Sequence, residues 1–164
     1  MYIIFVASQN ENMKLAKKIE SELAAQNEEV LLVDLVGLNL PIYTPKEQNR
    51  GIPEIINEYV SKMSDCSGYV FVAPEYNYTT PAVLNSFISW LSVVGDDFRA
   101  VFTDKTTLVA THSGGGGHDV LNAMRNQFTR LGSVVIPREV LTSYQVKLND
   151  ESLTKTIIQL IKYS

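Results

Sequence analysis

The chain has 164 residues, 45% apolar and 20% charged, with a net charge of −4. This describes one folded domain over residues 1–164 and excludes global disorder. No block of like charge is long enough for nucleic acid, and the longest apolar run, Met1–Ala7, falls far short of the roughly 18 residues of a membrane span, so neither partner is expected. The lone Cys66 permits no intrachain disulfide and fits a reducing compartment. The first basic residue is Lys14 and the opening run reads as a strand rather than a signal peptide, so a cytoplasmic location is expected.

Met1–Ala7 (MYIIFVA) is an apolar run rich in Ile, Phe and Val, which predicts a buried first strand. Leu15, Ile19 and Leu23 recur at four-residue spacing among charges and predict the first helix. Glu29–Leu35 reads as the second strand, followed by a loop with Gly37, Asn39, Pro41 and Pro45. Ile52, Ile55, Ile56, Tyr59, Val60 and Met63 form one helical face, with Pro53 in its first turn. Gly68–Ala73 is the third strand, and Thr80-Pro81 starts a helix over Ala82–Val94. Thr106–Thr111 is the fourth strand. Leu121, Met124, Phe128 and Leu131 mark a helix that Gly132 ends. Ser133–Ile136 is the fifth strand, Pro137–Asn149 is ambiguous, and Leu153, Ile157, Leu160 and Ile161 mark the last helix.

Strands alternating with amphipathic helices imply an α/β fold whose parallel sheet is covered on both faces. Five such units in this length fit the flavodoxin-like strand order 2-1-3-4-5. Ligands of such sheets bind beyond the carboxyl ends of the strands, which directs attention to three loops. Ser8-Gln9-Asn10-Glu11-Asn12 precedes a helix start, where N–H groups bind anions; ordinary capping by Ser or Asn is the alternative. Pro74-Glu75-Tyr76-Asn77-Tyr78-Thr79-Thr80-Pro81 joins flat aromatic surface to polar groups on a stiff backbone, as a planar heteroaromatic ligand requires; the alternative is a turn with incidental tyrosines. Thr111-His112-Ser113 leads into Gly114–Gly117, costly in backbone entropy unless backbone approaches a ligand; a flexible surface loop is the alternative.

Sharper motifs are absent. There is no G-x-x-x-x-G-K-[ST] and no G-x-G-x-x-G. A nucleophile elbow at Ser113 would need Gly where Thr111 stands. His112 and His118 are the only histidines, so no zinc or other metal site is expected.

The segment PEYNYTTPAVLNSFISWL, with Pro74, Glu75, Tyr76, Asn77, Pro81, Leu84 and Trp90-Leu91, resembles the NADPH-dependent FMN reductase family, whose pattern is P-E-Y-N-x-x-x-P-x-x-L-K-N-x-x-D-W-L. The Lys-Asn-x-x-Asp positions are shifted or replaced, by Asn85-Ser86 and Ser89. Ser113–Gly117 resembles the family's glycine run, and Ser8 and Asn12 match its first loop, which here is shorter and lacks the family's Arg. The resemblance implies an FMN site. Ser8, Asn10 and Asn12 would take the phosphate, and Pro74, Glu75, Tyr76, Asn77 and Tyr78 would border the flavin ring. Ser113, Gly114, Gly115 and Gly116 would approach its pyrimidine edge. It further implies ping-pong hydride transfer from NADPH or NADH through FMN to a small-molecule electron acceptor such as a quinone, in a homodimer or homotetramer. No catalytic side chain is expected, because the cofactor carries the chemistry. A flavodoxin-type electron carrier and a flavin-free α/β binding module are the competing readings. Apolar residues around the third helix, from Val83 to Val94, fit either a subunit interface or deep burial. Arg99, Lys105 and Arg125 are candidate cations for a 2′-phosphate; a solvated surface charge is the alternative for each.

Overall fold

The computed structural model describes residues 1–164. β1 (Tyr2–Val6) leads into α1 (Glu11–Ala25), β2 (Val30–Asp34), the short α2 (Pro45–Gln48) and α3 (Glu54–Asp65). β3 (Gly68–Val72), α4 (Ala82–Leu91), β4 (Thr106–Ser113) and α5 (His118–Arg130) follow. β5 (Val134–Val135), β6 (Val140–Ser143) and α6 (Asp150–Tyr163) complete the chain. The sheet runs β2-β1-β3-β4-β5 with every pairing parallel, and β6 also pairs with β4.

The strands are apolar throughout because both faces are covered. Side chains alternate across a strand, so Ile3, Phe5, Tyr69, Phe71 and Val109 enter one core and Tyr2, Ile4, Val6, Val70, Val72, Leu108 and Ala110 the other. α3, α4 and α5 cover the first face, and α1 and α6 the second. The first core is aromatic: Phe71 stacks on Phe128 at 4.0 Å between centroids and on Phe5 at 5.1 Å. Trp90 is fully buried and its indole N–H donates to the Pro41 carbonyl at 2.8 Å, pinning the loop after β2 against α4. Leu84, Phe87, Ile88, Trp90 and Leu91 are buried within the chain itself, whereas Val83, Val93 and Val94 are only partly buried against the same core. No helix is long and apolar enough to cross a membrane.

The fifth strand differs from expectation. It is divided: β5 has two residues beside the start of β4, and β6, inside the stretch that pattern left ambiguous, pairs with the end of β4. Pro137 lies in the break. Arg125 stitches it, donating to the carbonyls of Ile136, Pro137 and Arg138 at 2.8, 3.0 and 3.2 Å and to Glu139 at 2.8 Å. Other differences lie at element ends. β4 extends through Ser113, α4 stops at Leu91, and Pro53 precedes the first turn of α3. α2, capped by Thr44 accepting from Glu47 N–H, has no buried residue and so leaves no periodic trace.

Candidate functional site

β1, β3 and β4 end side by side, and the three loops that follow meet at that edge. The first loop opens α1 without a side-chain cap: the Asn10 side chain accepts no hydrogen bond from the helix. The N–H groups from Ser8 to Met13 find no acceptor in the chain. Gln9 holds the loop, donating to Asp34 at the end of β2 at 2.7 Å. Ser8, Gln9 and Asn10 line a cleft of about 380 Å³ whose opposite wall is Tyr76, Pro81, Ala82 and Val83. The loop contributes no cation. Lys14, one turn into α1, hydrogen-bonds Glu11 at 2.7 Å, which holds that carboxyl below the usual range. An uncapped helix start with free N–H groups is an anion site.

The second loop is a tight turn. Tyr76 and Thr79 exchange two backbone hydrogen bonds at 3.1 and 3.0 Å, and Asn77 and Tyr78 between them are left-handed, with φ of 49° and 61°. Asn tolerates this; a tyrosine there costs about 1–2 kcal/mol. The turn presents Tyr76 and Tyr78 to solvent, 54% and 79% exposed. Pro74 is buried beneath it.

Glu75 points the other way, into the protein. Its carboxylate accepts from the Val120 N–H of α5 at 3.2 Å and from the Ser113 hydroxyl at 3.4 Å. Gly117, which opens α5, has no side chain to cap it, so Glu75 supplies the cap from another loop. Ser113 is buried and its oxygen also accepts from Gly115 N–H at 3.1 Å. The glycines divide in two. Gly117 has φ of +77°, and a Cβ there would lie 3.0 Å from Thr111 Cγ2 and 3.1 Å from Ser113 Cβ. At Gly114, Gly115 and Gly116 a Cβ would meet nothing closer than 3.5 Å. The N–H groups of Gly114 and Gly116 have no acceptor in the chain.

Asn12 is buried at 3% exposure, and its side chain is fully engaged. It donates to the His112 carbonyl at 2.9 Å and accepts from the His112 N–H at 2.7 Å, joining α1 to β4 across 100 residues of sequence. Of the twelve residues predicted from sequence, Ser8, Asn10, Tyr76, Asn77, Tyr78 and Gly114–Gly116 therefore border open space at the edge. Asn12, Pro74, Glu75 and Ser113 support it from behind. Sequence reasoning missed Gln9 and Val83 as wall residues and the pairings of Asn12 and Glu75, which no local pattern encodes. Two of the three candidate cations are spent elsewhere. Lys105 Nζ binds the carbonyls of Ser64 and Cys66, and Arg125 stitches the divided strand. The tyrosines and thiol that burial pushes up, Tyr2, Tyr59, Tyr69 and Cys66, contribute to none of these three loops.

Comparison with known proteins bears on the fold and the family. A quinone reductase of Escherichia coli (strain K12) is 33% identical over 78 residues, 47% of this chain and 40% of that protein. An FMN-dependent NADH:quinone oxidoreductase of Brevibacillus brevis is 30% identical over 90 residues, covering 44% of this chain and 42% of that protein. Each match thus spans less than half of the relative's length. The FerB flavoenzyme of Paracoccus denitrificans, an NAD(P)H:(acceptor) oxidoreductase, superposes with a TM-score of 0.81 over 99% of this chain and 95% of its own, at 17% identity, and so shares the fold. The family described as NADPH-dependent FMN reductase matches residues 2–147, from β1 through β6 and across all three loops. On that match the chain belongs to the NADPH-dependent FMN reductase family.

Proposed function

We propose that the chain is an FMN-dependent oxidoreductase that takes hydride from NADH or NADPH and reduces a small quinone-like acceptor. The observation that carries this reading is the meeting, on one sheet edge, of an uncapped helix start, an exposed tyrosine turn and a glycine stretch with free backbone. Those residues fit FMN. The free N–H groups from Ser8 to Met13 match the phosphate without a cation, aided by the α1 dipole. The open space over Gly114–Gly116 leaves N–H donors for the polar edge of a flat ring, and Tyr76 and Tyr78 offer apolar surface beside it. FMN supplies a group that accepts a hydride and releases electrons to a second substrate. The chain's own residues bind and orient: Ser8 and Asn10 hold the anionic end, the Tyr76–Thr79 turn sets one wall, and Glu75 fixes the glycine stretch through Ser113 and α5.

Self-association as a homodimer or homotetramer and a cytoplasmic location belong to the same proposal. Exposed Val36, Ile42, Tyr76 and Tyr78 lie on or beside the rim of the cleft, apolar surface that a second copy would cover. The buried, unpaired Cys66 suits a reducing compartment. The experiment is a titration with FMN and with riboflavin, followed by NADH and NADPH oxidation with a benzoquinone. FMN should bind more tightly than riboflavin, with little loss at moderate salt because its donors are not exposed ion pairs. A protein that stays colourless after mixing with FMN refutes the reading.

A further inference from the structure

On the α1 side of the sheet, α1, the ends of β4 and β6 and the segment after β6 enclose a cleft of about 240 Å³. Lys14 and Lys18 of α1, His112 of β4, Ser143 of β6 and Lys147 line it. Its one carboxylate, Glu11, is taken by Lys14 at 2.7 Å, which leaves Lys18 and Lys147 without an acidic partner. The Glu11 carboxyl is held low first by that hydrogen bond and further by the fields of Lys14, His112 and Lys147, so these groups lie close together. Unpaired lysines are ordinary on a surface.

The imidazole is not ordinary. His112 Nε2 is the one buried side-chain nitrogen or oxygen in the chain with no hydrogen-bond partner, and an unmade bond in the interior is costly. The other ring nitrogen is settled. The Thr142 hydroxyl donates its single proton to the Thr111 carbonyl at 3.2 Å, so toward His112 Nδ1, 3.1 Å away, it can only accept. Nδ1 therefore carries a proton, and Nε2 is a bare acceptor in the neutral ring and a donor in the charged one. Ser143 adds a fixed hydroxyl. It accepts from the Gln145 and Val146 N–H groups at 3.1 and 2.9 Å, and its own proton has no acceptor in the chain. Ammonium and hydroxyl donors beside a nitrogen that can share a proton call for a ligand that accepts several hydrogen bonds and carries an exchangeable proton. A phosphate monoester does both, because its second ionisation lies at about pH 6. The cleft is smaller than the roughly 300–1,000 Å³ of drug-sized sites, which suits a compact ion.

We propose that this cleft is a phosphate site, for inorganic phosphate or a small phosphomonoester. His112 Nε2 shares a proton with the phosphate, Ser143 donates to it, and Lys18 and Lys147 neutralise it. Tyr144, 69% exposed and edge-on to the imidazole at 5.2 Å between centroids, turns aside to admit it. Glu11 and His112 are followed in sequence by Asn12 and Ser113, which support the flavin edge, yet this cleft and the one at the first loop have no lining residue in common. The site stands whether or not the chain turns over NADH or NADPH.

The test uses FMN-saturated protein, whose flavin phosphate fills the first loop. Inorganic phosphate, glycerol 3-phosphate and sulfate are titrated by calorimetry, and the histidine ring nitrogens are followed by 15N NMR. Inorganic phosphate or glycerol 3-phosphate should bind and shift the His112 Nε2 resonance while leaving His118 unmoved, and the tighter of the two identifies the source. Lys18→Gln and Lys147→Gln, at exposed positions, should each weaken binding roughly tenfold or more and leave FMN affinity unchanged. His112→Phe, which keeps a ring against Tyr144, should abolish it. Sulfate, with no proton to share at neutral pH, should bind more weakly. A wild type that takes up neither phosphate compound, with water as the imidazole's partner, overturns the proposal. So does binding untouched by all three variants, or sulfate held as tightly as phosphate, which would make charge alone the cause. If the protein takes up no FMN, the oxidoreductase reading fails, and the same titration on the flavin-free protein, with Ser8→Ala as the control for the first loop, still decides the phosphate site.

Discussion

Replacing Glu75 with alanine tests whether this carboxylate is scaffold. Glu75 is the only cap on α5: Val120 N–H reaches it at 3.2 Å, and Gly117 offers no local replacement. Losing a cap costs about 0.5–2 kcal/mol. The Ser113 hydroxyl, buried, loses its acceptor as well, but its 3.4 Å contact is long and the hydroxyl can turn, so that share is small. The total is about 1–2.5 kcal/mol, which in a chain of this length lowers Tm by roughly 2–10 °C. Glu75→Gln keeps an acceptor oxygen and should recover more than half of the loss. The assay is urea and thermal unfolding followed by circular dichroism, with and without FMN. Because the loss is structural, FMN and riboflavin affinity should fall by the same factor. A Glu75→Ala protein as stable as the wild type, or a selective loss of FMN over riboflavin, refutes the reasoning.

Further outcomes follow from the same geometry. Gly117→Ala forces a Cβ into a left-handed position 3.0 Å from Thr111 and should cost about 1–3 kcal/mol, whereas Gly116→Ala enters open space and should leave stability unchanged or slightly raised while weakening FMN binding; chemical unfolding and a flavin titration separate the two. Asn12→Ala strips both backbone groups of His112 of their partners and should cost about 2–4 kcal/mol in urea unfolding, with Asn12→Asp, which keeps one bond, in between. Burial holds Tyr2, Tyr59 and Tyr69 above the ordinary tyrosine value, so their contribution to stability is intact below about pH 10 and is lost as pH rises toward their folded-state values. Phenolate absorbance of these three should therefore appear together with the loss of circular dichroism, and ionisation that precedes unfolding would contradict the burial argument.

Much of the fold was legible because burial on both faces writes long apolar runs into β1, β3 and β4, and one-sided burial writes periodic stripes into α1, α3 and α5. β5 and β6 were not legible. Two and four residues are too few for a period, and Pro137 between them reads as an end. The three loops were legible because their composition departs from what capping and turns need. What each residue does there was not. Asn12 looks like a ligand donor until its partner, 100 residues away, is seen, and Glu75 looks like part of a turn until α5 is placed beside it.

The divided fifth strand has a consequence for how these molecules behave when crowded. It forms one rim of the sheet, and an uninterrupted rim would offer a row of open backbone groups to another chain. Here the row is broken after two residues by Pro137, which has no N–H, and the three carbonyls of the gap are already taken by Arg125. The remaining four residues of β6 are too short a template to hold a foreign strand. The Arg125 side chain thus guards the sheet against edge-to-edge growth, and replacing it would loosen the divided strand and open this rim to aggregation.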